Sequence, residues 1–466
     1  MQADEGVDAS NNLKHRLANS RVLHPFKGDG LRAKAMRGSG WTIAGFGAQQ
    51  VLRLGSNLIL TRLLFPEAFG LMALAQVFMQ GLAMLSDIGV GPAIVQNKRG
   101  DDPGFLATAW TLQIVRGFIL FAIMCAIAYP ASKIYDQPLL LPILIMIGSA
   151  AIIQGFQSIG FATANRKMIL GKLTMIDLCA QCVAIAMMVA WAFFFPTVWS
   201  LVGGALSAAT TRLILGHIIL RSSANHFKFD RTAAGEIYRF GRWIFLATAL
   251  TYFGGQGLRL IQGYFVSIEM LGLISIAGML GQAVGKITSR IGKMVLFPAF
   301  AQIQLDRPHE LATKLREART KLFLLSCPFF ILLIALGRDL INWMYDDRYI
   351  EAGLYLVIMA TGSALRAQRT PFGMVLIATG DSFGHALIMF VTAAVRITAI
   401  FIGFMLYGVV GMLIADIIAM ALIYPFEAWR LHRKGLWLPI FDLFVFTGYV
   451  ALGVLSYLTG PYFFIP

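Results

Sequence analysis

From residue 41 to residue 459 the chain is a succession of apolar runs about twenty residues long, separated by short polar breaks. A bilayer core about 30 Å thick is crossed by roughly 20 apolar residues in a helix, so this spacing is the signature of a polytopic membrane protein. Spans are expected near 41–64, 71–95, 105–129, 139–163, 172–194, 199–220, 243–265, 272–296, 322–337, 352–378, 384–406 and 408–429. A thirteenth candidate lies at 441–460. With 58% hydrophobic and only 14% charged residues, a soluble fold of this length is excluded.

A net charge of +15 could suggest nucleic acid, but the positions of the charges argue against it. With the N-terminus placed in the cytoplasm, 26 Lys and Arg fall on inner segments. Only four, Arg62, Lys133, Arg338 and Arg348, fall outside. By the positive-inside rule the N-terminus and the connection after span six are expected in the cytoplasm. The polar segment 1–36 lacks the apolar middle of a signal peptide, so the first span is expected as an uncleaved anchor, with Lys27 to Arg37 resting on anionic headgroups. Cys125, Cys179, Cys182 and Cys327 lie in or beside apolar spans and read as packing residues; the CxxC at 179–182 has no second ligand pair.

The chain repeats itself. An offset of 202 pairs Arg37 with Arg239, Trp41 with Trp243, Gly55 with Gly257, Glu67 with Glu269, Gly70 with Gly272 and Gln80 with Gln282. A second offset, 214, sets "GSAAIIQ" (148–154) over "GSALRAQ" (362–368). Six spans duplicated by six give copies of one orientation, related by a pseudo-two-fold along the membrane normal. The expected fold is therefore all-α and polytopic. An N-lobe at 37–220 and a C-lobe at 243–430 are joined by a cytoplasmic loop at 221–242. The repeated acids Glu67 and Glu269 sit where each copy's second helix starts, where a carboxylate meets the positive end of the helix dipole.

Charges inside spans are costly, so they tend to face a water-filled path or a partner. Nine bases are embedded, and several share a helical face with other polar residues. Gln50, Arg53 and Asn57 line span one; Tyr252, Arg259 and Gln262 line its repeat mate. Gln76, Gln80 and Asp87 line span two, and Gln282, Lys286, Ser289 and Lys293 its mate. Ser363, Arg366 and Arg369 share span ten, while Arg116, Arg212 and Arg396 stand alone and Arg290 is near enough to an end to snorkel. The acids Asp87, Asp177 and Asp416 are too few to neutralise these bases, although they can pair with some as structural glue. Surplus arginines around a path suit a phosphate-bearing anion, which the guanidinium fork binds in two places at once. The candidate substrate-binding residues are Arg53, Arg116, Arg212, Arg259, Lys286, Arg366, Arg369 and Arg396, and the candidate ion-coupling residues are Asp87, Asp177 and Asp416.

No phosphate loop, metal-spaced His or Cys cluster or nucleophile set occurs, so neither enzyme chemistry nor a cofactor is expected. "GVGPAI" at 89–94 reads as a helix stop, and "GRDLINWMYDDRYIEAG" as an ordinary outer connector.

The segments "SDIGVGPAIVQ" (86–96) and "ATANRKMILGKLTMIDL" (162–178) resemble polysaccharide-export flippases of the Wzx type, in the multidrug/oligosaccharidyl-lipid/polysaccharide superfamily, nearest its exopolysaccharide branch. The resemblance implies two six-helix lobes around a cationic cavity, moving an undecaprenyl-pyrophosphate-linked repeat unit to the far leaflet by alternating access. It implies other polysaccharide-assembly membrane proteins as neighbours. Arg53, Arg259 and Arg366 best fit the family's cationic cavity residues. Members have twelve or fourteen spans where thirteen are read here. The alternatives are a cation or multidrug exporter, which would need an acidic cavity, and a membrane-embedded polymerase or ligase, which would need external acids or histidines.

Overall fold

The computed structural model describes residues 31–86, 90–97, 99–239 and 257–459. These residues are all-α, with no strand among them. Among the described residues, seven helices are long and apolar enough to cross a membrane, and up to nine if each of two bent pairs is one span. The helices of the N-terminal half are α1 (Leu31–Leu63), α2 (Pro66–Leu85), α3 (Val90–Gln96), α4 (Pro103–Ile134), α5 (Leu140–Gly155), α6 (Gly160–Arg166), α7 (Leu170–Phe194) and α8 (Trp199–Ile219), and residues 231–239 of the segment that follows are also helical. Those of the C-terminal half are α9 (Gly257–Phe265), α10 (Ile268–Gly281), α11 (Ala283–Ile291), α12 (Phe297–Asp306), α13 (Leu311–Ala335), α14 (Gly337–Met344), α15 (Glu351–Ala378), α16 (Ser382–Arg433) and α17 (Pro439–Thr459).

Three breaks differ from the expected spans. The run 71–95 divides, because α2 ends at Leu85 and α3 starts at Val90. Of "GVGPAI", the residues from Val90 lie in that short helix, and Gly89 lies outside the described residues. The run 139–163 bends by 62° between α5 and α6, and 272–296 by 45° between α10 and α11. Of span seven, expected at 243–265, residues 243–256 lie outside the described residues, as does the segment before Leu31, while α9 covers the rest.

Helix α16 is a hairpin. Tyr407 (φ −138°, ψ 24°) and Gly408 (φ 58°, ψ −140°) leave the helical region, and the positive φ explains the glycine. A Cβ on Gly403 would meet the Gly411 carbonyl oxygen at 2.4 Å, and one on Gly411 would meet the Gly403 oxygen at 2.1 Å. Eight residues of straight helix would separate those positions by about 12 Å, so the chain has folded back into two antiparallel arms, 382–406 and 409–433. These are the eleventh and twelfth spans read from the sequence. The thirteenth candidate is the unbroken helix α17.

Two long helices, α1 and α15, are absent from the seven apolar ones. Protein surrounds α15, burying 18 of its 28 residues. Helix α7 is the converse, strongly apolar despite Lys172 and Asp177, with only five of its 25 residues buried. A helix shielded from lipid need not be apolar, and polarity there is free to serve a site.

The repeated acids sit as expected in first turns. Pro66 occupies a first helical position with Glu67 beside it, and Ser267 caps α10 by accepting from the Met270 N–H at 3.2 Å. The two starts also touch. A Cβ on Gly70 would lie 2.0 Å from the Ile268 oxygen, and one on Gly272 would lie 1.9 Å from the Pro66 oxygen. Both residues must lack a side chain for α2 and α10 to cross this closely. The contact is reciprocal, since 66 with 268 and 70 with 272 are both pairs of the 202 offset.

More bonds join the halves at the same end. Tyr345 and Tyr349, in the connector before α15, reach α1: Asn57 Nδ2 donates to the Tyr345 hydroxyl at 3.1 Å, and the Tyr349 hydroxyl donates to the Leu64 carbonyl at 2.7 Å. Arg348, held by Asp346, donates to the Thr61 and Arg62 carbonyls at 3.3 Å each, which are acceptors left over at the helix end. The Tyr135 hydroxyl donates to the Leu260 carbonyl at 3.1 Å. The connector is thus a clamp on the end of α1, a role its composition did not disclose.

Candidate functional site

Below the α2–α10 crossing lies a cavity of about 900 Å³, walled by both halves. Its charged lining residues are Arg53, Arg212, Lys286, Arg366 and Arg396, against Asp177 and Asp416. Each comes from a polar stripe or a lone intramembrane charge in the sequence. The walls also carry Asn57 and Gln76 of α1 and α2 and Gln262, Ser275 and Gln282 of the second half, so mates of the repeat face one space.

These charges are not alike. Arg53 is exposed, and no hydrogen bond or ion pair of its guanidinium is found among the described residues. Arg212 Nε lies 3.2 Å from Asp177 Oδ1, with both side chains partly exposed, and its guanidinium stacks over the Phe161 ring at 4.8 Å. Asp416 is the most enclosed, its side chain 17% exposed. It holds Arg396 Nε at 2.6 Å from the other arm of the hairpin and pairs with Arg366 Nη1 from α15. Arg366 also donates to Ser363 Oγ at 3.3 Å.

Two of the sequence candidates are elsewhere. Arg116 donates to the Ser86 hydroxyl at 3.1 Å and the Ala83 carbonyl at 2.6 Å, closing the end of α2, and it borders a smaller hollow of about 220 Å³. Arg369 lies outside the cavity lining, donating through Nε to Glu427 at 2.8 Å and through Nη1 to the Met420 carbonyl at 3.3 Å. The Arg259 side chain and Asp87 fall outside the described residues, although α9 carries position 259.

Arg319 also changes place. By sequence it belongs to a charged inner loop; in the structure it is 1% exposed inside α13. It pairs with Asp442 at the start of α17, which in turn accepts from the Tyr424 hydroxyl at 2.9 Å. Its guanidinium lies between the Phe372 and Phe441 rings, at 4.3 and 4.6 Å. Glu427 and Asp442 are the acids that sequence reasoning left out of the balance. A carboxylate near the end of an apolar run was the available signal. The four cysteines are free thiols.

A basic cavity between two helical halves directs the comparison with known proteins. The family described as "Polysaccharide biosynthesis protein" matches residues 59–353, more than half of the chain. The chain belongs to that family. Among relatives of this family member, the lipopolysaccharide biosynthesis protein WzxC of Escherichia coli (strain K12) is 22% identical over 424 residues, covering 88% of this chain and 86% of that protein. The succinoglycan biosynthesis transport protein ExoT of Rhizobium meliloti (strain 1021) is 21% identical over 368 residues, covering 78% and 72%. The lipid II flippase MurJ, in an inward closed conformation, shares the fold with a TM-score of 0.68 at 14% identity, covering 91% of this chain and 93% of that one. The resemblance to polysaccharide flippases therefore holds. The chain is thus a helical, multi-pass membrane protein of a polysaccharide-biosynthesis family, with the fold seen in MurJ.

Proposed function

We propose that this protein translocates undecaprenyl-pyrophosphate-linked oligosaccharide repeat units across the bacterial inner membrane for exopolysaccharide synthesis. The observation that carries the reading is the cavity's imbalance, five basic side chains against two acidic ones. Holding surplus positive charge in a membrane is costly, and an anionic headgroup is the ligand that repays it. A cation exporter would need the opposite sign.

With the N-terminus read as cytoplasmic from the distribution of Lys and Arg, the α2–α10 crossing and the Arg348–Tyr349 clamp form the periplasmic closure. The two halves act as lobes, and the reciprocity of Gly70 and Gly272 supports an axis between them along the membrane normal. In the mechanism the headgroup enters from the cytoplasmic side and is held by Arg53, Arg366 and Arg396, with Arg212 and Lys286 on the wall. The prenyl tail stays in lipid. Rocking of the lobes then breaks the periplasmic bonds and delivers the sugar outward. Arg259 is retained as a further binding candidate, and Arg116 and Arg369 as residues that shape the walls. Asp87, Asp177 and Asp416 are the acids available for coupling to an ion gradient.

The reading is tested in cells that lack their own flippase. Arg53→Ala and Arg366→Ala should each abolish surface polysaccharide with the protein still in the membrane at wild-type level. Normal polymer from both would refute it.

A further inference from the structure

Asp416 pairs with two of the arginines that this mechanism assigns to the headgroup. A carboxylate between two arginines occupies the very groups that should receive a phosphate. Buried pairs of this kind contribute little net stability over well-packed apolar residues, so their retention calls for another reason. Glue would be the simplest reason, but the surroundings do not favour it. The wholly enclosed pair Arg319–Asp442 lies outside the cavity, as does Arg369–Glu427, whereas the Asp416 cluster faces the open space. The side chains of Arg366 and Arg396 remain 35% and 20% exposed. Among the described residues, the terminal nitrogens of Arg396 have no protein partner; only its Nε is engaged, by Asp416.

We infer that Asp416 is an internal counter-anion, a stand-in that keeps Arg366 and Arg396 paired while the cavity is empty and that a substrate diphosphate displaces on binding. The inference rests on the headgroup-binding reading above and says how that site selects its ligand. Charge sets the selectivity. Two guanidinium groups with one carboxylate leave a single positive charge, and Arg53 and Lys286 on the same walls add two more. A pyrophosphate diester, with two negative charges, offsets most of that surplus. Neutral lipids cannot displace the carboxylate, because uncovering two arginines without replacing their anion costs more than the contact returns.

The three groups lie on three helical segments: Arg366 on α15, Arg396 and Asp416 on opposite arms of the α16 hairpin. Exchange of partner therefore changes what ties the hairpin to α15. Displacement of Asp416 releases the link between the arms, and return of Asp416 expels the product's headgroup. The carboxylate is thus both a gatekeeper for loading and a competitor that aids release.

The test is binding of inorganic pyrophosphate to the purified full-length protein in nanodiscs, by calorimetry at fixed ionic strength. Asp416→Asn removes the competing charge but keeps the shape, and should tighten binding by at least about tenfold, the size of one charge-assisted hydrogen bond. The same variant should export less polymer, because release slows. Asp416→Glu should bind as wild type does, and adding Arg366→Ala to Asp416→Asn should erase the gain. Wild-type binding that depends on Arg366, with no tightening in Asp416→Asn, would overturn the counter-anion role while leaving the cavity reading intact. No binding by any variant would overturn both. If Asp416→Asn does not fold, infrared difference spectra of the wild type decide: pyrophosphate should shift a carboxylate stretch, and an unchanged carboxylate region would overturn the role.

Discussion

The two halves of the chain face one cavity with opposite wiring. In the first half the acid is on α7 and the base on α8, Asp177 and Arg212, a single contact at 3.2 Å between side chains 36% and 43% exposed. In the second half the base is on the first arm of the hairpin and the acid on the second, Arg396 and Asp416, with Arg366 added from α15. The first pair is partly exposed and held by one ion-pair contact; the second is a three-way cluster in a tighter place. Burial and the number of partners, not the residue types, decide which carboxylate can control a site. The Arg319–Asp442 pair extends the series, being enclosed, flanked by aromatic rings and without access to the cavity.

The largest effect is expected at that enclosed end. Asp442→Ala would leave Arg319 charged, buried and unpaired, a loss of about 3–5 kcal/mol for a broken buried pair. Thermal unfolding in detergent should fall steeply, and α17 should become accessible to protease. Arg319→Met with Asp442→Leu should recover most of the loss, because an apolar pair of similar volume removes both desolvation costs.

A smaller effect, and a test of equivalence between the halves, is expected at the α2–α10 crossing. Gly70→Ala and Gly272→Ala each drive a methyl into backbone on the partner helix and should cost about 1–3 kcal/mol apiece. Because the contact is reciprocal, the two losses should agree, and the double variant should lose less than their sum. Very unequal losses would show that the crossing is not equivalent from its two sides.

Smaller still is the expected cost of opening the exposed pair. Asp177→Ala should change stability by less than about 1 kcal/mol, since solvent screens it, and should tighten pyrophosphate binding less than Asp416→Asn does. An equal gain from both acids would erase the distinction between them.

The smallest expected effect concerns pH. Outside the membrane helices, Asp102 is held below its usual range by a hydrogen bond from Arg99 and by the Gly104 N–H, and Asp230 by hydrogen bonds from Thr232 and from Arg99. Groups with lowered native values stabilise above their unfolded value, about 3.9, and that contribution is lost as pH falls through the native value. The 97–104 turn and the 221–239 connection should therefore stay docked from pH 5 to 8, and proteolysis within 221–239 should rise only in stronger acid.

Most of the fold was legible because its signals are local. Apolar length locates the helices, the break at Gly408 divides 384–429 at the expected place, and the offset of 202 pairs Gly70 with Gly272, the two glycines of the crossing. Breaks inside an apolar run were harder to read. The bend between α5 and α6 leaves hydropathy unchanged, and α2 ends at Leu85 with apolar residues still to come. The site divided in the same way. Helical spacing identified Arg53, Arg366 and the glutamines as one-faced stripes, and Arg53 and Arg366 do reach the cavity. Partnerships were invisible because they cross between helices. Asp416 lies 50 residues from one arginine and 20 from the other, and Glu427 lies 58 from Arg369. Arg319 misled for a related reason: a base in a charged stretch reads as solvated until the acid that buries with it, 123 residues away, is known.

The central claim is that arginines in this cavity carry an anionic, lipid-linked headgroup across the membrane. Its most direct test is translocation of a fluorescent polyprenyl-pyrophosphate oligosaccharide in proteoliposomes, comparing wild type with the Arg53→Ala/Arg366→Ala double variant. The expected result is at least about a hundredfold loss of rate, the sum of two charge-assisted contacts, in a protein that melts within a few degrees of wild type. Translocation by the double variant at the wild-type rate would contradict the account.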